Sequence, residues 1–159
     1  EGEVNGLITY DRKVTKIPEG LLHLMHNRLY EITPVKAVTL IADSQNGSKN
    51  TRLVGMNGQE LKMTSLPFDC PPRSTVVSEA TFKVDKDFNH LSLWLNVAGE
   101  AKVWLNGVEV FAQEAKQTRQ YNQYNISDYS RYLRKGSNLL KIEVKDSKKM
   151  RFDYGLRAY

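Results

Sequence analysis

The stretch LSLWLNVAGEAKVWLNGVEVF, residues 91–111, holds two alternating apolar runs on either side of Ala98-Gly99-Glu100. The second run ends in Asn106-Gly107, a dipeptide that accepts the positive φ angles of a type I′ turn and is a strong hairpin signal. A further short strand follows this turn and ends at Phe111. The stretch therefore predicts three consecutive antiparallel strands, with the first turn centred on Gly99.

A three-residue loop at Gly99 fixes the register of the first hairpin, in which Leu93 faces Leu105 and Trp94 faces Trp104. The leucines then share one face, which we expect to form the core, and the tryptophans lie on the other. Because a tryptophan carries up to about 200 Å² of surface, we expect the pair to be covered. The candidates are another domain, a sugar ring, or the N-terminal segment with its apolar residues Leu21, Leu22, Leu24 and Met25.

The composition is that of a globular protein. The 159 residues are 40% hydrophobic and 26% charged, and no run approaches the roughly 18 apolar residues that a membrane-spanning helix needs. The net charge of +5, from 23 basic and 18 acidic residues, falls short of a nucleic-acid-binding signature. The single Cys70 excludes an internal disulfide, and its proline-rich surroundings favour a buried loop cysteine over a reactive thiol.

The chain divides into an N-terminal extension, residues 1–34, and a β-rich domain, residues 35–159. Residues 18–30 place apolar side chains at four-residue spacing after a proline, which predicts a short helix that packs on the domain. The chain begins at Glu1 without an initiator methionine, so we expect an excised or processed segment. His23 and His26 have no companion ligand at a metal-site spacing, so we expect neither a metal site nor a cofactor.

From residue 35 onward the pattern is that of short strands separated by turns. Residues 52–63 read as a second hairpin that turns at Asn57-Gly58, and Leu140, Ile142 and Val144 alternate with charged residues. Roughly eight or nine such strands, with turns every 8 to 12 residues, predict an all-β fold, namely an antiparallel β-sandwich or jelly roll.

Five features between residues 78 and 146 resemble a known family. They are the strand ATFKV (80–84), residues 91–111 with their VWLNG hairpin, the turn YNISDY (124–129), the corner KGSN (135–138) and the strand LLKIEV (139–144). In this order they resemble the galactose-binding-like β-sandwich, in the form of the sugar-binding domain of glycoside hydrolase family 2 enzymes. The glycine-rich loop that often follows the hairpin in the family is absent, because residues 113–123 contain no glycine.

The resemblance implies a non-catalytic carbohydrate-binding or accessory module of a larger bacterial glycan-active hydrolase. It implies as partners a glycan, anionic glycans included, and the catalytic domain of the parent polypeptide. It also implies a periplasmic or extracellular location. The motif residues themselves, such as Asn106, Gly136 and Asn138, suit turns and corners rather than catalysis. No nucleophile elbow, metalloprotease motif, phosphate-binding loop or dinucleotide fingerprint occurs in the sequence.

The candidate ligand-binding residues lie in the polar stretch after the hairpin. Sugar binding needs flat aromatic faces and planar polar side chains, and this stretch offers both. Two other readings stay open: a solvated loop whose tyrosines pack on the edge of the sandwich, and a surface that docks onto a catalytic domain. The candidates are Gln113, Glu114, Arg119, Tyr121, Asn122 and Tyr124.

Two alternative functions also stay open. The first is a purely structural interaction domain that orients a catalytic domain. The second, which the mild net charge disfavours, is an anion- or nucleic-acid-binding domain with a basic surface. Its candidate residues are Arg131, Arg134 and Lys135 in one cluster and Lys145, Lys148, Lys149 and Arg151 in the other.

Overall fold

The computed structural model describes residues 38–62, 67–116 and 120–159. Within these ranges the chain forms eleven strands and two short 3₁₀ helices, Ser44–Asn50 and Ser127–Tyr132. The strands are β1 (Thr39–Asp43), β2 (Thr51–Val54), β3 (Glu60–Leu61), β4 (Phe68–Cys70), β5 (Thr75–Val84), β6 (Leu91–Asn96), β7 (Gly99–Leu105), β8 (Val108–Lys116), β9 (Asn122–Asn125), β10 (Gly136–Lys145) and β11 (Met150–Ala158).

The strands form two antiparallel sheets that enclose one hydrophobic core. Sheet I has the order β1-β11-β6-β9, with β4 paired to the start of β11, and sheet II has the order β3-β2-β5-β10-β7-β8. Alternate residues of both sheets are buried, as the period-2 pattern of the sequence requires. The predicted all-β sandwich is thereby confirmed.

The chain crosses from one sheet to the other between β6 and β7. Trp94 of β6 pairs with Gly155 and Gln123 in sheet I, whereas Trp104 of β7 pairs with Lys141 and Glu109 in sheet II. The predicted hairpin around Gly99 is therefore wrong, and so is the cross-strand pair of tryptophans. The leucine faces do form the core, but they meet across the sandwich rather than side by side in one sheet.

Glycine is required at the crossing. Gly99 has φ of +136°, and a Cβ built on it would lie 2.8 Å from the carbonyl oxygen of Lys145. Val97 and Ala98 before it are buried, and the backbone of Ala98 accepts a hydrogen bond from the amide of Lys148. The chain at this crossing thus packs against the loop between β10 and β11, which leaves no space for a side chain at Gly99.

The turn between β7 and β8 is the hairpin that Asn106-Gly107 predicts. Asn106 has φ of +50° and Gly107 has φ of +86°, so both residues adopt the left-handed region that a type I′ turn needs. The Asn106 side chain donates to Asn138 and accepts from the amide of Leu139. Asn138 is 2% exposed and also bonds the backbone of Arg134, so the predicted corner around it is confirmed.

One polar contact crosses the hydrophobic core. The hydroxyl of Tyr154 in sheet I lies 2.7 Å from the hydroxyl of Ser78 in sheet II, and Ser78 in turn lies 2.7 Å from the hydroxyl of Thr51. Thr51 donates to the carbonyl of Gly47 in the first 3₁₀ helix. Because each hydroxyl in this series of hydrogen bonds has a partner, the phenol of Tyr154 is buried without being left unsatisfied.

Other local predictions have mixed outcomes. The hairpin between β2 and β3 forms around Asn57-Gly58, as predicted. The helical turn after residue 126 is present, but Ser127 does not cap it: its hydroxyl accepts from the amide of Leu91 and contacts Asn125 instead.

The N-terminal extension, its helix and the boundary near residue 34 lie outside the described residues and remain predictions. Within those residues, no helix is long and apolar enough to cross a membrane.

We expect the Gly99→Ala variant to be much less stable than the Gly107→Ala variant. Both positions have positive φ, which costs a residue with a side chain about 1 kcal/mol. Only at Gly99 does the added methyl group meet backbone atoms, so its loss of unfolding free energy should exceed that of Gly107→Ala by roughly 2 kcal/mol or more. Urea unfolding of both variants measures this difference, and equal losses would contradict the packing at the crossing.

Stability should also fall at high pH because of Tyr154. Burial raises the pKa of Tyr154 to about 12, above the ordinary value of 10.0 that applies when the chain is unfolded. The protonated phenol is therefore the favoured form in the folded state, and its contribution is complete below pH 10 and lost as the pH rises toward 12. Between pH 10 and pH 12 the unfolding free energy of the wild type should fall by about 2 kcal/mol more than that of Tyr154→Phe. Urea unfolding of both proteins at pH 8, 10 and 11 tests this, and parallel curves would contradict it.

Candidate functional site

A cleft lies on the outer face of sheet I. It has a volume of about 440 Å³, within the range of small-ligand sites. Residues from β1, β6 and β11 line it together with the start of the first 3₁₀ helix and the segment before β9. The lining residues are Leu40, Asp43, Ser44, Gln45, Pro67, Trp94, Tyr121, Asp153, Tyr154, Gly155 and Arg157.

The two aromatic side chains of the cleft differ in their surroundings. Trp94 is half-buried, and the guanidinium carbon of Arg157 lies 4.1 Å from the centre of its ring, a cation–π contact. Tyr121 is 49% exposed, and its hydroxyl donates to Oδ2 of Asp153. That hydrogen bond raises the pKa of Tyr121 above its ordinary value, because only the protonated phenol can donate to the carboxylate.

Hydrogen bonds hold both carboxylates of the cleft in place. Asp153 Oδ1 accepts from the hydroxyl of Ser44 at 2.5 Å and from the amide of Tyr154 at 2.9 Å. Asp43 Oδ1 accepts from the amides of Gln45 and Asn46 at 3.0 and 3.2 Å, and thereby caps the first 3₁₀ helix. These carboxylates can still accept from ligand hydroxyls, because each has lone pairs beyond those used.

The outer face of β6, from which Trp94 lines the cleft, also carries two polar side chains. Ser92 and Asn96 are 3% and 6% exposed, and they flank Trp94 on the same side of the strand. Ser92 Oγ, Trp94 Nε1 and Asn96 Oδ1 are buried and have no hydrogen-bond partner within the part of the chain that the structure describes. This face therefore differs from the face toward the core, which is lined by Leu91, Leu93 and Leu95.

The predicted binding residues do not converge on one place. β8 is an edge strand of sheet II and β9 is an edge strand of sheet I, so the stretch between them passes from one sheet to the other. Tyr121 reaches the cleft, Glu114 is exposed, and Asn122 bonds the carbonyl of Gln120. Arg119 lies outside the described residues.

Gln113 and Tyr124 meet at the edge of the sandwich. The phenol of Tyr124 donates to Gln113 Oε1 at 3.4 Å, and its ring centre lies 4.3 Å from that of Phe111. Gln113 also donates to the carbonyl of Gly99 at the crossing. The two side chains thus join the edge of sheet I to that of sheet II, which corresponds to the packing role that the sequence left open for its tyrosines.

Sequence reasoning missed most of the cleft. It named a sugar ring only as one possible cover of Trp94, and it gave no binding role to Asp43, Asp153 or Arg157. The available signal was the alternation in RFDYGLRA, residues 151–158, where polar residues and Gly155 occupy the face opposite Phe152, Tyr154 and Leu156. That alternation identifies an outward face but not the strand that lies beside it.

The thiol of Cys70 is another group with possible reactivity, and it is buried. Cys70 lies in β4, is 1% exposed, and its sulfur is 3.6 Å from the hydroxyl of Ser147. Burial raises the pKa of the Cys70 thiol, as expected for a structural rather than a reactive cysteine. Among the described residues, no three His, Cys, Asp or Glu side chains cluster in a way that could hold a metal ion.

No protein-family model and no curated protein sequence matches this chain. Solved structures share its fold. One is an FMN-binding β-glucuronidase from Facaelibacterium prausnitzii L2-6, which is 19% identical with a TM-score of 0.52 over 76% of this chain. Another is a β-glucuronidase from Ruminococcus gnavus in complex with an N1-substituted uronic isofagomine, 11% identical with a TM-score of 0.52 over 79% of this chain.

The matched regions are only parts of those proteins. This chain covers 22% of the first structure and 31% of the second. At these identities the similarity concerns the fold alone. The sandwich of this chain is therefore a fold that also occurs within larger glycoside hydrolase chains.

The buried position of Cys70 predicts slow alkylation of the native protein. Excess iodoacetamide at pH 8 should modify the folded chain at least about a hundredfold more slowly than the urea-unfolded chain, because only the exposed thiolate reacts. Mass spectrometry over time measures both rates. Rapid modification of the folded protein would show that β4 opens readily or that the thiol is accessible.

Proposed function

We propose that the chain is a non-catalytic carbohydrate-binding or accessory module of a larger bacterial glycan-active hydrolase, and that the cleft on sheet I binds the glycan. In this proposal the parent polypeptide carries the catalytic domain, and the protein acts in the periplasm or outside the cell. The observation that carries the proposal is the convergence of Trp94, Tyr121, Asp153 and Arg157 on one cleft.

The chemistry of the cleft fits a sugar. A pyranose ring presents an apolar C–H surface that packs on aromatic faces, and hydroxyl groups that bond planar polar side chains. Trp94 and Tyr121 supply aromatic surface, Asp153 supplies acceptors and Arg157 supplies donors. Because hydrogen bonds within the protein already position Tyr121 and Asp153, ligand binding would immobilise few side chains.

The structural neighbours support the accessory role. β-Glucuronidases contain a sandwich with this fold as a fraction of their length, so a module that works beside a catalytic domain is consistent with both comparisons. Fold similarity does not identify a ligand. The proposed sugar contact therefore rests on the cleft and not on the names of the neighbours.

A structural interaction domain is the second candidate, and the outer face of sheet II favours it. Trp104 is half-buried there with Lys141 Nζ 5.4 Å from its ring centre, and Leu139 nearby on β10 is 38% exposed. Trp104 and Leu139 lie on the outer face of the sheet, as expected where another domain packs.

The structure weakens the case for a basic binding surface. Lys135 pairs with Asp87 at 2.9 Å, Lys145 pairs with Glu143 at 3.1 Å, and Arg151 lies 3.5 Å from Asp69. Acidic neighbours reduce the attraction that these residues exert on a phosphate backbone. Three members of the predicted basic clusters are thus partly neutralised.

The two tryptophans provide a matched test of the glycan site. Both are half-buried beneath a cationic side chain, but only Trp94 lines the cleft. Trp94→Ala should weaken binding to any glycan that a glycan array identifies by roughly tenfold or more, because the aromatic contact is lost, whereas Trp104→Ala should leave the affinity within about twofold. Isothermal titration calorimetry measures both affinities.

Thermal unfolding of each variant shows whether it is folded at the titration temperature. Tyr121→Ala gives an independent check, because its side chain is half exposed and its removal should affect binding more than stability. Absence of any glycan binding by the wild-type chain would exclude the carbohydrate-binding function. Equal losses from the two tryptophan variants would mean that the glycan binds elsewhere.

A further inference from the structure

Among the described residues that line the cleft, Arg157 is the one cation. No carboxylate in the described ranges forms an ion pair with it, whereas Arg151 on the same face of β11 pairs with Asp69. Its guanidinium instead lies over Trp94. Stacking on an aromatic ring restricts the orientation of a guanidinium. Its N–H groups, which point outward within its plane, remain available as donors.

The position of Arg157 follows from the packing around Trp94. Trp94 pairs with Gly155 across the sheet, and Arg157 is the next residue of β11 on that face. Gly155 has no side chain to separate them, so the indole and the guanidinium come into contact. The arginine is half-buried by this contact, which reduces the conformational entropy that it would lose on binding.

Two carboxylates, those of Asp43 and Asp153, also line the cleft. Asp153 is four residues from Arg157 on β11, so their Cα atoms lie about 13 Å apart at the usual rise per residue, and Asp43 pairs with Gly155 between them. The carboxylate of Asp153 already accepts hydrogen bonds from Ser44, Tyr121 and the amide of Tyr154. Asp43 directs one oxygen to the two amides of the 3₁₀ helix that it caps.

We propose that Arg157 makes the cleft selective for glycans that carry a carboxylate or a sulfate group. The acidic group of the sugar accepts a forked pair of hydrogen bonds from the guanidinium beside Trp94. Hydroxyl groups of the adjoining sugar face the acceptors of Asp153 and Asp43. This inference rests on the proposed glycan-binding function and identifies the class of glycan.

The chemistry favours a planar anion over a neutral hydroxyl at this position. A carboxylate matches the two-pronged geometry of arginine, and charge-assisted bonds are about twice as strong as neutral ones. A sulfate ester offers the same paired oxygens. Both groups therefore satisfy Arg157 equally well in principle, and experiment must distinguish them.

The test uses the full chain and a glycan array with matched triplets. In each triplet the same oligosaccharide appears neutral, with C6 oxidised to a carboxylate, and with O6 sulfated. Wild type should bind at least one acidic member about tenfold more tightly than its neutral counterpart, and this preference should fall as salt is raised. A preference for only the carboxylate or only the sulfate member identifies which acidic group the cleft takes.

Two variants assign the preference to Arg157. Arg157→Gln should reduce the ratio of acidic to neutral affinity to about one, and Arg157→Lys, which keeps the charge but not the fork, should retain part of it. Arg151→Gln is the matched control, since it removes the same charge from the same strand face outside the cleft, and it should preserve the ratio. Calorimetry gives the affinities, and thermal unfolding confirms that each variant is folded.

The outcomes separate this inference from the function on which it rests. Equal binding to neutral and acidic members by wild type would overturn the inference and leave glycan binding standing. A preference that survives in Arg157→Gln, or is lost equally in Arg151→Gln, would overturn the role of Arg157. If no member of any triplet binds, the proposed function fails and this inference fails with it.

Discussion

The architecture depends on the backbone packing at Gly99. Its positive φ and the carbonyl of Lys145 only 2.8 Å from the position of a Cβ leave glycine as the residue that fits there. The chain crosses between the sheets at this point, so β6 joins sheet I and β7 joins sheet II. Because side chains alternate along each strand, the leucines of β6 and the apolar residues of β7 then face each other, and Trp94 and Trp104 lie on opposite outer faces.

The crossing explains which parts of the fold could be predicted from the sequence. Alternation correctly predicted the buried faces of β6, β7 and β10, but it did not predict β4 or β9. The Asn106-Gly107 turn was correct because its backbone angles are a local requirement. Alternation does not say which strand lies alongside. Two strands with a short connection have the same pattern whether they pair in one sheet or belong to two sheets. β6 pairs instead with β9 and β11, and its Leu91 lies opposite Ala158, far away in sequence.

The same reasoning accounts for the candidate site. The described candidates among residues 113–124 are close in sequence and have the composition of a sugar site, but they lie in or next to edge strands of two different sheets. Tyr121 therefore enters the cleft, while Gln113 and Tyr124 join the sheet edges. The partners of Tyr121 come from β1, β6 and β11, and their proximity arises from sheet pairing that no local pattern encodes.

The contrast between the two tryptophans shows why only one of them belongs to a cleft. Trp104 pairs with Lys141 of β10, and the long lysine side chain lies next to the indole. Trp94 lies beside Gly155, and a Cβ at that position would come within 3.3 Å of Leu40. Any larger residue would therefore occupy the space between Leu40 and the indole. Because Gly155 has no side chain, a cleft forms on the outer face of sheet I. The guanidinium of Arg157 lies over Trp94 and lines this cleft.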